Sequence, residues 1–309
     1  MASGHIVVVG SVNMDMMLRC PHLPRAGETV LGSNFTTAPG GKGANQAIAA
    51  SRLGAKVAFI GCVGDDAFGQ AAFDALQAEG VDTRHLSREA GAATGVAMII
   101  TDDAGENCIA LATGANALLS PAHIDAARAL FADASMVVCQ LESPMATVRH
   151  AVDIAVRMGV PVLLNPAPAQ LLPADLLRDI DWLVPNAIEA AALSGTGADG
   201  QVSPARSAEL LRLCGPRTVL VTLGSDGVVA ATAEGSFHRP ATPVVAVDTT
   251  GAGDTFVGAF AAAQTQAMSL VDAIEFAQRA AAFSVTRRGA QASMPRLADL
   301  QLPTLQETS

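Results

Sequence analysis

The chain has 309 residues, half of them hydrophobic, and carries a formal net charge of −10 with a pI near 5.0. That length builds one large α/β domain or two small ones, and the apolar fraction assures a sizeable core. The acidic balance argues against nucleic acid or an anionic membrane as a partner, since either asks for a basic patch.

The first apolar run, HIVVVG from His5 to Gly10, is too short for a signal peptide and reads as a buried strand. KVAFIG, MVVCQLE, PVLLNP, WLVPN and TVLVTLG have the same character, and segments with helical spacing such as FGQAAFDALQAEG and MATVRHAVDIAVRMG separate them. Strands buried on both faces and alternating with helices predict an α/β fold. Its central sheet is mostly parallel, helices cover both faces, and ligands sit at the carboxyl ends of the strands. Two segments break the rhythm. Residues 13–37 and 93–113 alternate in a half-exposed way, with Asp103, Ala104 and Gly105 as turn residues. This suits antiparallel hairpins, read as a small β-lid on a single domain spanning 1–309, with a plain edge hairpin as the alternative. Gly195 to Ser203 predicts a surface loop. No stretch approaches a membrane span, and five scattered cysteines (Cys20, Cys62, Cys108, Cys139, Cys214) without C-x-x-C spacing suit reduced thiols in the cytoplasm.

Two glycine-rich helix starts carry the chemistry. Gly40-Gly41-Lys42-Gly43-Ala44-Asn45-Gln46-Ala47 opens one helix, and Asp248-Thr249-Thr250-Gly251-Ala252-Gly253-Asp254 opens another. In the second, small residues let the amides of Gly251, Ala252 and Gly253 converge at the positive end of a helix, which makes an anion hole. Asp254 would repel a bound anion, so its use there is to take a proton from a hydroxyl attacking the anionic group, which is phosphoryl transfer; an acid in the first turn that merely suits the helix dipole is the alternative. GGKGAN lacks the G-x-x-x-x-G-K-[ST] spacing, and no G-x-G-x-x-G follows the first strand, so P-loop and dinucleotide readings drop. Asn13 and Asp15, placed at the end of the first strand, offer donors and acceptors to a hydroxylated ring, as does Glu142 at the end of MVVCQLE. As alternatives, Asn13 and Asp15 cap a turn, Lys42 is a solvated lysine, and Glu142 caps a helix before Pro144.

GSVNMD, GGKGANQA, QLESP, NPAPA, PNAIEA, VTLGSDG, DTTGAGDTF and TRRGAQAS occur in this order across nearly the whole chain, which thereby resembles the PfkB-type carbohydrate kinase family. The resemblance implies that Asn13, Asp15, Gly41, Lys42, Asn45, Glu142 and Asp254 bind the sugar. It implies that Asn186, Thr222, Gly224, Ser225, Gly227, Gly253 and Gln278 bind ATP, and that Asn186 and Glu189 hold Mg²⁺ through water. Ala187 stands where the family usually has an acid, and Asn186 with Glu189 would serve equally as a helix N-cap with an acid at its third position. A potassium ion is implied beside the anion hole, among Asp248, Thr250, Ser284, Arg287, Gly289 and Ser293. An ordinary loop closed by Arg287 or Arg288 is the alternative. The activity implied is ATP-dependent phosphorylation of D-ribose to ribose 5-phosphate in a homodimer joined through the lid. Deoxyribose or a nucleoside as acceptor remains open, as does a non-catalytic sugar-binding regulator, although such a regulator has no need of Asp254 beside an anion hole.

Overall fold

The computed structural model describes residues 4–195 and 202–301. Most of the surface loop expected at 195–203 therefore lies outside the described residues.

The strands are β1 (His5–Val9), β2 (Asn13–Arg19), β3 (Ser33–Gly40), β4 (Val57–Gly64), β5 (Asp82–Glu89), β6 (Gly95–Thr101) and β7 (Asn107–Ala112). They continue with β8 (Ala134–Cys139), β9 (Val162–Leu164), β10 (Trp182–Leu183), β11 (Thr218–Thr222), β12 (Val228–Thr232) and β13 (Gly235–Arg239). Nine form one sheet in the order β13-β12-β11-β10-β9-β8-β1-β4-β5. Every pairing in it is parallel except the terminal hairpins β11–β12 and β12–β13. All six apolar runs of the sequence are strands of this sheet.

The α-helices are α1 (Lys42–Arg52), α2 (Ala67–Ala78), α3 (Pro121–Ala126), α4 (Ala129–Ala132), α5 (Met145–Met158) and α6 (Ala174–Arg178). After them come α7 (Ala187–Leu193), α8 (Pro204–Leu213), α9 (Ala252–Thr265), α10 (Leu270–Ser284) and α11 (Leu297–Gln301). Successive residues of β1 serve opposite faces of the sheet, as a period of two requires. Ile6 and Val8 join a core with residues of α1, α2, α9 and α10, whereas Val7 and Val9 join a second core with residues of α3, α5 and α8. The sheet is thus sandwiched between helices, with one core on each face.

Helices α1 and α9 pack at unusually close range. A Cβ at Gly258 would lie 2.5 Å from the Gln46 carbonyl oxygen and 2.6 Å from the Ala49 Cβ, so only glycine admits this approach. The remaining strands form a four-stranded sheet, β3-β2-β6-β7. β2–β3 and β6–β7 pair antiparallel, and a parallel β2–β6 pairing joins the two hairpins. At the β6–β7 turn the Asp102 carboxylate accepts from the Ala104 and Glu106 N–H groups, and Gly105 has φ 86°. The placement of Asn13 and Asp15 is corrected here. β1 ends at Val9, and both residues begin β2 of the small sheet.

All five cysteines are free thiols, and burial pushes Cys62 and Cys139 up to about 12, Cys62 also under the influence of the Glu89 carboxylate. No described helix is long and apolar enough to cross a membrane.

Candidate active site

The first glycine loop is shaped by what lies beneath it. Gly41, with φ 91°, would place a Cβ 2.7 Å from the Asn13 nitrogen, and a Cβ at Gly43 would lie 2.6 Å from the Ser11 nitrogen. Glycine alone lets the start of α1 rest on the 11–13 backbone. Glu142, beyond the end of β8, ties these pieces together by accepting on Oε2 from Ser11 Oγ at 2.6 Å, Lys42 N–H at 3.2 Å and Asn13 Nδ2 at 3.5 Å. It does not cap the following helix, whose N-cap is Pro144. Asn13 is only 3% exposed, and its Oδ1 accepts from Asn116 Nδ2 at 2.8 Å. The first sugar-site group is therefore a braced one.

Burial raises the Asp15 carboxyl to about 6, and the charges of Glu142 and Asp254 push the same way against Lys42. Lys42 is not a solvated surface lysine. The Asp254 charge, with those of Glu142, Glu189 and Asp15, holds its ammonium above the ordinary value in spite of burial. One cation thus stands among four carboxylates.

On the other side, α9 begins at Gly251, left-handed with φ 74°. A Cβ built on Gly253 would meet nothing within 4 Å, so the first turn is open on that side, while the Ala252 N–H donates to the Thr249 carbonyl at 3.2 Å. Asp254 is 7% exposed. Its Oδ2 accepts from Asn45 Nδ2 at 2.9 Å and its Oδ1 from Gln46 Nε2 at 3.0 Å. Asn45 Oδ1 accepts in turn from Gln291 Nε2 at 3.1 Å, so this residue, expected against the sugar, also braces Asp254.

Two cavities meet here. One, of about 210 Å³, is lined by Lys42, Asn186, Glu189, Gly251 and Asp254; the other, of about 550 Å³, by Gly224, Ser225, Gly227, Ala252, Gln278 and Val285. Thr222 and Gly253 line both. The larger cavity is mostly apolar-walled, as a flat heterocycle requires, and opens onto the α9 amides; the smaller holds the carboxylates.

The comparisons with known proteins agree with this geometry. The model for the pfkB family carbohydrate kinases matches residues 3–297. The chain belongs to this family. A ribokinase of Haemophilus influenzae is 43% identical over 290 residues, which is 94% of this chain and 95% of that protein. A deoxyribokinase of Salmonella typhi is 37% identical over 293 residues, 94% of this chain and 96% of that one. The structure of Arabidopsis thaliana ribokinase complexed with ribose and ATP superposes with a TM-score of 0.90 at 33% identity, covering 97% of this chain and 98% of that one.

Within this pfkB kinase, several expected site residues are already engaged with the protein. Asn186 and Glu189 form a reciprocal cap on α7: Asn186 Oδ1 accepts from the Glu189 N–H, and Glu189 Oε2 from the Asn186 N–H, each at 2.8 Å. Burial raises the Glu189 carboxyl, while the Asn186 N–H and Lys42 oppose the shift. Gln278 donates from Nε2 to the carbonyls of Arg239 at 3.0 Å and Pro240 at 3.3 Å, which anchors the loop beside the larger cavity. Gly227, φ 99°, is packed by its Cα against the Arg239 carbonyl, so the hairpin alone demands glycine there.

The loop expected to hold a potassium ion closes through Asp248. Its Oδ1 accepts from the Thr250 N–H at 2.9 Å and Oγ1 at 2.6 Å, and its Oδ2 from the Gly289 N–H at 2.8 Å. Although burial raises this carboxyl, the Gly289 and Thr250 hydrogen bonds and Arg288 outweigh it and hold it below the usual range. The Ser284 and Ser293 hydroxyls are committed to the Ala281 and Ala290 carbonyls, and Arg287 stacks on Phe283 at 3.5 Å. Backbone carbonyls and the Asp248 carboxylate are the oxygens that suit an ion here, and the two serine hydroxyls keep lone pairs while donating.

Ser11, Gln46, Asn116, Gln140, Asn165 and Gln291 hold the site without having been expected in it. The available signal was an uncharged polar residue inside a segment that buries everything else: Gln46 in ANQAIAA and Gln140 in VVCQLE.

Proposed function

We propose that this kinase transfers the γ-phosphoryl group of ATP to the 5-hydroxyl of D-ribose, giving ribose 5-phosphate and ADP. The observation that carries this reading is Asp254, pinned by Asn45 and Gln46 in the wall of the smaller cavity, next to Gly253, which lines both. The sugar lies between the 41–45 loop and β2, with Asp15, Asn13, Lys42 and Glu142 around its hydroxyls, and the nucleotide fills the larger cavity. The sugar oxygen attacks the γ-phosphorus, Asp254 takes the hydroxyl proton, and the bond to the bridging oxygen breaks to release ADP. Amides of Gly251 and Gly253 meet the charge on the equatorial oxygens, joined by that of Ala252 once it leaves the Thr249 carbonyl, to which it donates at 3.2 Å. Mg²⁺ fits the donor set, since Glu189 keeps Oε1 outside its cap and, with Asn186 through water, would hold an ion that neutralises the phosphates.

Coupled ADP release across D-ribose, 2-deoxyribose, other pentoses and nucleosides tests the assignment. Ribose should give the highest kcat/KM. A preference for 2-deoxyribose would select the second reading, which the deoxyribokinase relative supports, and ribose binding without turnover would leave only a regulator.

A potassium ion would sit at Asp248 and the carbonyls between Ser284 and Ser293, with Thr250 and Gly289 fixing the carboxylate. Turnover should rise with K⁺ and much less with Na⁺ at matched ionic strength, while ribose binding stays unchanged. Equal rates in K⁺, Na⁺ and a bulky organic cation would remove the ion from the account.

The small sheet is read as a lid that covers the sugar and joins two copies. Phe35, Met98, Ile109 and Leu111 leave 62, 55, 59 and 41% of their surface exposed on it, more apolar area than a solvated sheet carries. Light scattering at micromolar concentration should give the dimer mass. Ile109→Asp should give the monomer, and an unaltered dimer in that variant would place the interface elsewhere. The free cysteines suit a reducing cytoplasm.

A further inference from the structure

Behind Asp254 lies a chain of buried amides that the reaction as described does not use. Gln46, on the inner face of α1 and 1% exposed, spends both hydrogens of Nε2: one on Asp254 Oδ1 at 3.0 Å, the other on Asn165 Oδ1 at 3.0 Å. Its Oε1 accepts from Gln140 Nε2 at 2.7 Å. Asn165 in turn donates from Nδ2 to the Val184 carbonyl at 2.8 Å, which fixes its own oxygen toward Gln46. Gln140 is 1% exposed, and its Oε1 is buried with no hydrogen-bond partner among the described residues, pressed against Gly10, where any Cβ would collide with it.

An unpartnered buried acceptor is a cost that folds rarely carry without a return. The return is orientation. An amide has two ends that differ only in which atom donates, and a Gln46 turned end for end would set its oxygen against the oxygens of both Asp254 and Asn165. Gln140 prevents this from the far side, because its Nε2 requires an acceptor at Gln46.

We propose that Gln46 is a positioning residue for the base, and that Gln140, out of reach of the substrate, is kept in its unfavourable environment in order to hold Gln46 donor-first against Asp254. With Asn45 on Oδ2 and Gln46 on Oδ1, each carboxylate oxygen is fixed by one amide hydrogen from the start of α1, and its remaining lone pairs are left for the sugar hydroxyl. The inference rests on Asp254 being the base.

The two methionine variants separate this role from a structural one, since methionine keeps the volume and removes the donor. Gln46→Met should lower kcat about 10- to 100-fold, with KM for ribose and ATP within about twofold, because the base is displaced while the binding groups stay in place. Gln140→Met should lower kcat about three- to tenfold while its melting temperature stays about level, because the variant loses one unpartnered buried acceptor and leaves another at Gln46 Oε1, which no longer receives Gln140 Nε2. Less activity with no loss of stability is an outcome that a packing role would not produce. In an Asp254→Asn background neither substitution should lower the residual rate further. A Gln140→Met enzyme with full kcat, or one whose kcat falls only in step with its melting temperature, overturns the proposal. Should Gln46→Met fail to fold, Gln140→Met decides alone. If Asp254→Asn itself is active, the base assignment fails; if it is inactive while both methionine enzymes keep full kcat, only the positioning role fails.

Discussion

Asp254→Asn is expected to lower kcat by about two to four orders of magnitude while KM for ribose and ATP changes little. The substitution keeps shape and removes the proton acceptor, so the loss falls on the chemical step. It also sets an amide hydrogen of residue 254 against a hydrogen of Asn45 or of Gln46, because both of those neighbours donate to the present carboxylate. A modest loss of stability should accompany the loss of rate, and a melting curve measures the two separately. Steady-state kinetics with a coupled ADP assay reads the first. Turnover within about tenfold of the parent would show that the hydroxyl loses its proton elsewhere.

Asp15→Asn should make the ligand-free protein more stable and the enzyme worse. The folded-state carboxyl of Asp15 is raised from 3.8 to about 6 by burial and by the charges of Glu142 and Asp254. A raised carboxyl means that the folded chain binds the proton more tightly than the unfolded chain. Its contribution is therefore most favourable below the unfolded value and is lost as pH climbs through about 6. Above that pH the charged group costs on the order of 2–3 kcal/mol, from roughly two units at 1.36 kcal/mol each. The asparagine variant should then melt several degrees higher than the parent at pH 8, and the gap should close toward pH 4. In the same variant KM for ribose should rise about 10- to 100-fold, since a neutral amide replaces the carboxylate that accepts ring hydroxyls. A variant no more stable than the parent at pH 8 would mean that Asp15 is not held against its own charge.

Legibility in the sequence followed burial. The inner strands β1, β4, β8, β9, β10 and β11 were readable because a parallel strand covered on both faces shows as an unbroken apolar run. Strand β5, DTRHLSRE, was not readable, since an edge strand partnered on one side needs no such run. The two hairpins of the small sheet showed in their alternation, but their parallel joining through β2 and β6 did not, because it links residues about eighty apart and leaves no local mark. At the site, charge and glycine were visible. Asp254, Asp15, Lys42 and the GGKG and GAGD loops stood out by type and spacing. Gln46, Gln140 and Asn165 did not, because an uncharged amide in an apolar segment differs little from a tolerated polar residue until its partners are known.

The contact between Gly258 and Ala49 has a meaning for how this enzyme can change. Helices α1 and α9 each carry one of the two reactive loops at their first turn, and with the second turn of α1 locked against the first turns of α9 the loops behave as one rigid part. The distance between the loop proposed to hold the sugar and the amides proposed to stabilise the transfer is then inherited with the helix pair and is closed to gradual adjustment. Novelty has to come from residues attached to that part rather than from within it. A descendant acting on another alcohol would be expected to alter β2, β6 and their turns, and to leave the helix pair untouched.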